Sequence, residues 1–473
     1  MKPYPWLPAV LRVGLLGMLG SSLIAIGRLP EMIQADRVPG PALVQRLTQA
    51  LGGREIAASL SMLGLAVLLL AWSRLREARY APHQLVVFVA WVLPLLFIDG
   101  FNSNDPRAYL ENGWSLNDGL NPYEVGMCHP QSPVRVDTGW CGQTAIYPPL
   151  ALRLFQVFAW PRAGQPYSGL LGLRLLSLIG IALLWWAIRR LAASAKVDPS
   201  YAVWLAVLNP LTITQGIGGL HVDLLMAGVA LAGLAVAWTR AGLVGGAIVV
   251  GIAAAIKQPA LLVAVPVALV PIGLNRGFLR SAGRVLASVA ISVATFAGLS
   301  VASGLGVGWL NAADAPFKYQ NLGLARMVAW AQAVIDALFG THWAGFGIET
   351  IRMATLIAGA LLIGYLAIRY LDDPYQFLVA AALIWAVTGG AFREWYLILW
   401  AAALPLGRLG TSMRVAASVL IPFVGFYLSM TMGMRLNDKL AFAIALAGAL
   451  LVNVREPLVG PKPPAVVAEP VAG

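Results

Sequence analysis

The fold is decided by residues 222–274, VDLLMAGVALAGLAVAWTRAGLVGGAIVVGIAAAIKQPALLVAVPVALVPIGL. The charged residues of this stretch are Asp223, Arg240 and Lys257, and they separate apolar runs at 222–239, 242–256 and 258–274. A helix needs about 20 apolar residues to cross the hydrocarbon core of a bilayer. Consecutive runs close to that length predict membrane helices that follow one another with short turns.

Similar runs recur almost from end to end of the 473 residues. The predicted spans are 8–27, 55–73, 83–99, 167–188, 199–216, 222–239, 242–256, 258–274, 285–304, 352–369, 375–391, 395–408, 415–431 and 438–453. We therefore predict an all-α, polytopic membrane protein with about 13 or 14 transmembrane helices. Residues 1–456 form a single membrane domain in this interpretation, and the Pro/Val/Ala-rich tail 457–473 is predicted to be disordered.

Composition excludes two function classes. Apolar residues make up 59% of the chain and charged residues 11%, whereas soluble domains carry roughly 25% charged residues. A soluble enzyme is therefore excluded. The net charge of +12 does not indicate nucleic-acid binding, because the basic residues lie between the spans and not on one soluble face.

The basic residues predict the orientation of the chain in the membrane. They cluster in loops that alternate along the chain: Arg74, Arg76 and Arg79; Arg189, Arg190 and Lys196; Arg276, Arg280 and Arg284; Arg408 and Arg414. Cytoplasmic loops favour Lys and Arg, so these loops and both termini are predicted to lie inside, in the plasma membrane. The 28–54 loop is the exception, because this topology places it outside although it contains four arginines.

Two long polar segments, 100–148 and 305–351, are predicted to lie outside. The first is acidic and rich in Asn, Gly, Pro and aromatic residues, which is typical of an ordered loop. Within the second, residues 322–339 repeat apolar residues at helical spacing and predict an amphipathic interfacial helix. The stretch PPLALRLFQVFAW after Tyr147 predicts another.

The two cysteines of the chain, Cys128 and Cys141, both lie in the first outer loop. A pair of thiols on the oxidising side of a membrane indicates a disulfide. Two unrelated free thiols are the alternative.

Polar residues that are costly in lipid converge on the same predicted side as the acidic loop. They are Asp99, Asp105, His221, Asp223, Lys257, Arg393 and Glu394, with Lys318 and Arg326 in the second outer loop. Cations can hold a lipid phosphate and stabilise the charge of the leaving group. A carboxylate can accept the proton of an attacking hydroxyl. Aromatic residues can stack on sugar faces: Trp114, Tyr123, Trp140, Trp309 and Trp395.

Each of these residues also has a structural alternative. Asp105 precedes a proline and can be a helix N-cap. His221 can bond to Asp223 and fix a helix start, and Lys257 can extend to the membrane interface. Arg393 and Glu394 can neutralise each other. The functional interpretation depends on their sharing one side.

Several catalytic motifs are absent from the sequence: a P-loop, HExxH, a Cys/His metal cluster and a G-x-S-x-G elbow. The sequence GLGVG at 304–308 follows a membrane span and not a strand, so we interpret it as a helix end. The absence of a soluble nucleotide-binding domain argues against a nucleotide-sugar donor.

The order Asp105…Tyr109-Leu110, GLNPY at 119–123 and YPPL at 147–150 resembles the first outer loop of GT-C class glycosyltransferases. Further on, LNPL at 208–211 and GGLHVD at 218–223 resemble a segment of the α-(1→6)-mannopyranosyltransferase A/B family. The sequences KQPA at 257–260 and WYL at 395–397 resemble later motifs of that family. Val222, Pro148 and Arg393-Glu394 depart from the family pattern.

The resemblance implies a GT-C-like enzyme that moves mannose from polyprenyl-phosphate mannose to a lipid-anchored glycan, with inversion, to form an α-mannoside. Asp105 matches the family's loop aspartate and is the candidate general base, with Asp99 as the fallback. His221, Asp223 and Lys257 match positions expected to line the substrate site. Further candidate substrate-binding residues are Tyr109, Tyr147, Arg393, Trp395 and Tyr396.

The sequence-based expectation is thus a membrane mannosyltransferase of lipoglycan and cell envelope biosynthesis that requires no cofactor and binds no nucleic acid. Carboxylates near a phosphate leave a divalent cation open as an assistant, although we assign no metal-binding residues. Two alternatives are a transferase of another polyprenyl-phosphate sugar, such as arabinose, and a transporter or flippase of a lipid-linked sugar. Transporters place polar residues near the bilayer midplane and show inverted repeats, and neither feature is evident here.

Overall fold

The structure is a computed structural model that describes residues 7–34, 46, 54–75, 83–159, 166–270, 277–312, 323–340, 347–389, 392–433 and 436–452. Helices make up the regular structure of these ranges, apart from a single bridge between Met127 and Cys141. The predicted all-α class is confirmed. The predicted tail at 457–473 lies outside the described residues, as does Lys318.

The α-helices are α1 (Leu7–Gln34), α2 (Arg54–Arg74), α3 (Gln84–Val92), α4 (Asp105–Asn117), α5 (Pro149–Ala159), α6 (Pro166–Ser194), α7 (Pro199–Ala206), α8 (Asp223–Val236), α9 (Gly242–Ile256), α10 (Ala264–Leu269), α11 (Phe278–Ala302), α12 (Leu324–Phe339), α13 (Ile348–Arg369), α14 (Pro374–Thr388), α15 (Ile398–Ala403), α16 (Thr411–Leu428) and α17 (Asp438–Val452). Short 3₁₀ helices cover Leu93–Phe97, Thr138–Trp140, Gln258–Val263, Gly308–Ala312, Glu394–Leu397 and Leu404–Leu406. Thr212–Gly218 and Ser429–Gly433 are π-helical.

Six helices in the described ranges are long and apolar enough to cross a membrane: Val10–Leu29, Glu55–Arg74, Gly169–Ser194, Phe278–Ala302, Ile348–Arg369 and Met413–Thr431. A seventh span results if Thr212–Gly218 and Asp223–Val236, which are bent by 112° relative to each other, are taken together. Of the 13 or 14 transmembrane helices predicted, six or seven are thus supported as candidate spans by length and composition. The other apolar helices are 10–17 residues long.

Proline explains several of the shortened helices. Pro94, Pro259 and Pro405 each lie in the first two positions of a 3₁₀ helix that adjoins an α-helix. Proline has no backbone N–H and clashes with the preceding turn, so it breaks or kinks a helix. The apolar runs at 83–99, 258–274 and 395–408 therefore continue through a change of helix type and do not form one regular helix.

The surface of the long helices is apolar, as expected for contact with lipid. On α11, Leu279 is 84% exposed and Leu286 70%, and on α13 Leu361 is 70% exposed. Apolar patches of this extent on a protein surface mark an interaction with something other than water. Together with the long apolar helices, they make the chain a multi-pass membrane protein.

Glycines allow two pairs of helices to pack with their backbones in contact. A Cβ atom added at Gly20 of α1 would lie 2.7 Å from the carbonyl oxygen of Gly64 in α2. A Cβ at Gly228 of α8 would lie 2.2 Å from the carbonyl oxygen of Gly180 in α6. Small residues let membrane helices approach this closely.

One end of the helix bundle carries the first polar loop. Asn102 donates to Ser429 Oγ at 3.1 Å, which joins the loop to the carboxyl-terminal end of α16. Arg153 of α5 donates through Nε to the Ser303 carbonyl at 3.2 Å, just after α11 ends. The buried Arg174 of α6 donates to the carbonyls of Ile217 and Ile98. We call this side, with residues 99–147, the loop end.

The opposite end is basic. Helices α6, α11 and α16 contact the loop end at one terminus and carry arginines at the other: Arg189, Arg190, Arg280, Arg284 and Arg414. The Trp72 and Trp204 rings stack at 4.7 Å and join the end of α2, with Arg74, to α7. Arg408 pairs with Asp373 at 3.7 Å. We call this side the basic end.

The two predicted amphipathic helices are present. Helix α12 matches the predicted 322–339 segment, and α5 forms the stretch after Tyr147. Their extent as helices is confirmed, and their location in a membrane interface stays a prediction.

Candidate active site

Four breaks between helices meet at the loop end. Asp105 is the first residue of α4, and His221 lies between the π-helix Thr212–Gly218 and α8. Lys257 follows the last residue of α9, and Arg393 precedes the 3₁₀ helix before α15. Helix ends expose backbone and polar side chains that a continuous apolar helix cannot present. The sequence-predicted convergence of these residues is therefore present in the structure.

Asp105 and His221 form the first pair of the site. The distance between His221 Nδ1 and Asp105 Oδ2 is 3.6 Å, and the His221 side chain is fully buried. The helix N-cap is Asn104, while the Asp105 backbone N–H donates to Ser103 Oγ at 3.1 Å. The Asp105 carboxylate thus faces the imidazole and does not act as the cap, contrary to the structural alternative.

Trp395 holds the His221 ring. The two rings stack at 3.7 Å between centroids with 13° between their planes. Neither ring nitrogen of His221 has a hydrogen-bond partner among the described residues. His221 therefore does not bond to Asp223, and its nitrogens remain available beside Asp105.

Asp223 and Lys257 form the second pair. Lys257 Nζ donates to Asp223 Oδ1 at 2.9 Å and to Oδ2 at 2.7 Å. The ammonium also lies over the Tyr396 ring at 4.6 Å and the Tyr147 ring at 5.9 Å, which is within the range of cation–π attraction. Lys257 is buried, so it does not extend to the membrane interface. Its charge is balanced by Asp223.

Arg393 is the remaining cation of the site. Its guanidinium lies 5.5 Å from the centre of the Trp395 ring and is half-buried. No carboxylate among the described residues forms an ion pair with it. The neighbouring Glu394 is buried and its Oε2 has no hydrogen-bond partner in the described part of the chain. Arg393 and Glu394 thus do not neutralise each other by direct contact.

Two tyrosines form a wall of the site. The hydroxyl of Tyr147 donates to that of Tyr109 at 3.4 Å, and their rings meet edge to face at 5.1 Å. Phe155 stacks on Tyr109 at 4.6 Å, and Tyr123 donates to the Tyr147 carbonyl at 2.7 Å. This packing fixes the Tyr147 ring beside Lys257.

Charge and burial act in opposite directions on Asp105. Burial would raise the pKa of the Asp105 carboxyl, but the neighbouring His221 and the positive charges of Arg393 and Lys257 outweigh it. The pKa lies below its ordinary value of 3.8. Asp105 is therefore an ionised carboxylate near neutral pH, as a proton acceptor must be.

Asp99, the fallback base, is engaged elsewhere. Its carboxylate lies 3.0 Å from Arg107 and 3.4 Å from Arg28, and it is buried. Arg107 is on the first turn of α4, so this cluster anchors the helix that begins with Asp105. It also balances Arg28, one of the arginines that the predicted topology left on the outer side.

The loop that covers the site is closed by a disulfide. Cys128 and Cys141 are bonded, which confirms the prediction from their position. Met127 N donates to the Gln143 carbonyl at 3.0 Å, and Gly142 N donates to the Met127 carbonyl at 3.0 Å. These bonds hold the two segments of the loop together beside the disulfide.

Two further residues that shape this region were not predicted from the sequence. Glu111 is buried and accepts hydrogen bonds from the His129 backbone N–H and from Ser132 Oγ, which anchors the loop to α4. Burial raises the pKa of Glu111. The other residue is Arg174. Its position in the sequence could have indicated a role, because a charged residue inside a predicted span, here 167–188, is rare unless it has a structural or functional partner.

Two of the other aromatic candidates have ring contacts with residues outside this cluster. Trp114 lies against His129 at 5.7 Å and Trp309 against Phe296 at 5.8 Å. Within the described ranges, no group of three or more His, Cys, Asp or Glu side chains is arranged to hold a metal ion. A role for a divalent cation stays a prediction.

Comparison with solved structures gives a match to ArnT from Cupriavidus metallidurans bound to undecaprenyl phosphate. The match covers 80% of this chain and 77% of ArnT, with 15% sequence identity and a TM-score of 0.38.

The amino-acid sequence of this chain is similar to those of one protein family. Residues 14–273 match the model of the α-(1→6)-mannopyranosyltransferase N-terminal domain. The chain is 32% identical to α-(1→6)-mannopyranosyltransferase A of Mycobacterium tuberculosis over 377 residues, which cover 75% of this chain and 69% of that protein. It is 24% identical to α-(1→6)-mannopyranosyltransferase B of Corynebacterium glutamicum, over 92% and 79% of the two chains. The chain therefore belongs to the α-(1→6)-mannopyranosyltransferase family of membrane mannosyltransferases.

Proposed function

We propose that this protein transfers mannose from polyprenyl-phosphate mannose to a hydroxyl of a lipid-linked glycan, and forms an α-1,6-mannoside outside the cytoplasm. The observation that carries the proposal is the ionised Asp105 in one cluster with Arg393, in a member of a mannosyltransferase family. A base for the acceptor and a cation for the leaving phosphate are the two groups that this reaction needs.

The reaction follows from these roles. The acceptor hydroxyl oxygen attacks C1 of mannose, and its proton passes to an Asp105 carboxylate oxygen. The bond between C1 and the phosphate oxygen breaks with its electron pair on the phosphate, where Arg393 meets the growing negative charge. Attack on the face opposite the leaving group turns a β-linked donor into an α-mannoside.

Tyr109, Tyr147, Trp395 and Tyr396 pack around the base and the cations. Tyr147 and Tyr396 are the rings whose faces can meet the apolar face of a sugar, and fixed aromatic walls exclude water from the reacting centre. Exclusion of water favours transfer to the acceptor glycan over hydrolysis of the donor.

Two observations support an extracytoplasmic site. The arginines of α6, α11 and α16 that were named above gather at the basic end, which the tendency of Lys and Arg to stay in the cytoplasm places inside. The disulfide lies at the loop end, and disulfides persist in oxidising compartments. Membership of a transferase family favours transfer over transport.

An Asp105→Asn variant tests the role of the base. Removal of a general base costs about 10²–10⁴-fold in rate, so we expect a loss of that size in mannose transfer from polyprenyl-phosphate mannose by the purified protein. Asp118→Asn is the matched control, because Asp118 is an exposed carboxylate that follows the other end of α4. Near-normal turnover by Asp105→Asn would remove this residue from the mechanism.

A further inference from the structure

A groove of about 370 Å³ opens between α12, α14, α16 and α17. Every residue that lines it is apolar or glycine, and the lining includes Leu324, Met327, Phe392, Ala416, Phe423 and Leu446. A space of this volume is within the range of ligand sites, which is about 300–1,000 Å³. The lining offers no hydrogen-bonding side chain, so an occupant must be a hydrocarbon over this length.

The groove adjoins the active site through Phe392, which lines it and is the residue directly before Arg393 in the chain. Arg393 forms no ion pair with any described carboxylate, whereas Lys257 is neutralised by two bonds to Asp223. Arg393 thus has no direct ion pair among the described residues, and the charges of Asp105 and Glu394 act on it only from a distance. A wholly apolar groove beside a cation that no described carboxylate contacts matches a molecule with a hydrocarbon chain and an anionic head.

The groove follows the long axis of the bundle. Its wall on α16 extends from Phe423 to Ala416, which at 1.5 Å per residue is about 10 Å. Val387 lines one end of the groove and lies near the end of α14 that precedes Phe392. Ala416 lines the other end and is two residues from Arg414 of the basic end. The groove therefore extends along the bundle from Phe392 toward the basic end, the direction that a lipid chain takes into the apolar depth of the membrane.

We infer that this groove binds the polyprenyl chain of the donor, with Arg393 on its phosphate. The inference rests on the proposed function and assigns a site to one of its two lipids. The donor is favoured because its chain is joined directly to the reacting phosphate, so groove and cation must adjoin. The lipid of an acceptor is separated from the attacking hydroxyl by sugar residues and needs no such contact.

Binding of sugar-free prenyl phosphates tests the groove independently of transfer. We expect Ala416→Phe, which fills the groove, to raise the Kd for a long polyprenyl phosphate by about tenfold, equivalent to roughly 1.4 kcal/mol. The Kd for the short citronellyl phosphate should not change. Protein in nanodiscs and native mass spectrometry or tryptophan fluorescence give both values.

Ala447→Phe is the matched control, because Ala447 is an exposed alanine on α17 that does not line the groove. It should bind both phosphates like the wild type. Arg393→Gln should weaken both phosphates equally, since it removes the head contact and not the chain contact. Met327→Trp fills the groove from α12 and replaces Ala416→Phe if that variant does not fold.

Three results would overturn the inference: no binding of long polyprenyl phosphate by the wild type, equal Kd values for the groove variants and Ala447→Phe, or an equal loss for both chain lengths. An ordinary bilayer lipid in the groove would give the second result. Failure of mannose transfer with intact, chain-length-dependent binding would refute the proposed function and leave the groove assignment standing.

Discussion

Asp105 and His221 lie in a set of charges that is nearly balanced within itself. Lys257 is bonded to Asp223, and the His221 ring is fixed by its stack on Trp395. The carboxylate of Asp105 therefore owes its ionised state to neighbours that cannot rearrange easily. This suits a base that must return to the same charge after every turnover.

The pH dependence of transfer reports this arrangement. Asp105 acts when deprotonated, and its pKa lies below 3.8, so kcat/KM of the wild type should not fall from neutral pH down to about pH 5 for lack of the base. His221→Asn removes the favourable neighbour and leaves the burial. The pKa of Asp105 should then rise, and the acid limb of the profile should move to higher pH.

A purely structural role for His221 predicts a different result, in which kcat/KM falls by the same factor at every pH. His129→Asn is a suitable control, because His129 lies in the same loop and its ring contacts Trp114 and not the Asp105 cluster. A wild-type acid limb near pH 6 would contradict the lowered pKa.

The residues of the site were predictable, but most of their pairings were not. Asp223, Lys257 and Arg393 stand out because ionisable residues within a nearly continuous apolar membrane sequence are rare. The bond from Lys257 to Asp223, and the stack of His221 on Trp395, depend on which helix ends meet in space. A single sequence contains no information on that point.

At the scale of elements, uninterrupted runs predicted helices well. The predicted spans 55–73 and 242–256 correspond to Arg54–Arg74 and Gly242–Ile256. Hydrophobicity alone overestimated the spans at 83–99, 258–274 and 395–408, because proline is apolar but changes the helix type there. No sequence pattern as clear as an uninterrupted apolar run predicted the π-helix or the 112° bend before His221.

The disulfide loop is an element that can be tested alone. Closing a loop of this size stabilises it by about 3 kcal/mol on the chain-entropy model. A Cys128→Ser/Cys141→Ser variant should therefore be cut faster by protease within 121–147 and lose transfer activity, since Tyr123 and Tyr147 flank the loop. Helix content measured by circular dichroism should not change.

The comparison for that experiment is wild-type protein treated with an alkylating agent, with and without a reductant. Only the reduced sample should behave like the variant. Equal protease resistance of both samples would mean that the anchoring of the loop by Glu111 is sufficient without the covalent bond.

At the scale of the whole molecule, the separation of charge between the two ends is the strongest feature. A membrane-impermeant maleimide tests the orientation that we infer from it. Asp118→Cys at the loop end should be labelled in intact cells, and Arg240→Cys, in the turn between α8 and α9, only after permeabilisation. The native cysteines are bonded to each other and should not react. The reverse pattern of labelling would place the active site in the cytoplasm.

The all-α membrane class was accessible from the sequence, since it follows from the mean hydropathy and the long apolar runs. The number of full-length spans and the apolar groove were not. The groove arises where α12, α14, α16 and α17 fail to fill the space between them, and a cavity of this kind has no sequence pattern.

The contact between Gly180 and Gly228 has a consequence for the chemistry some distance away. Helix α8 begins with Asp223. Five residues further along, at Gly228, it contacts the α6 backbone. A single methyl group added at this contact would push α6 and α8 apart. It would thereby tilt the Asp223 carboxylate away from the Lys257 ammonium that it neutralises. Two glycines that take no part in the reaction thereby fix the position of Asp223 relative to Lys257.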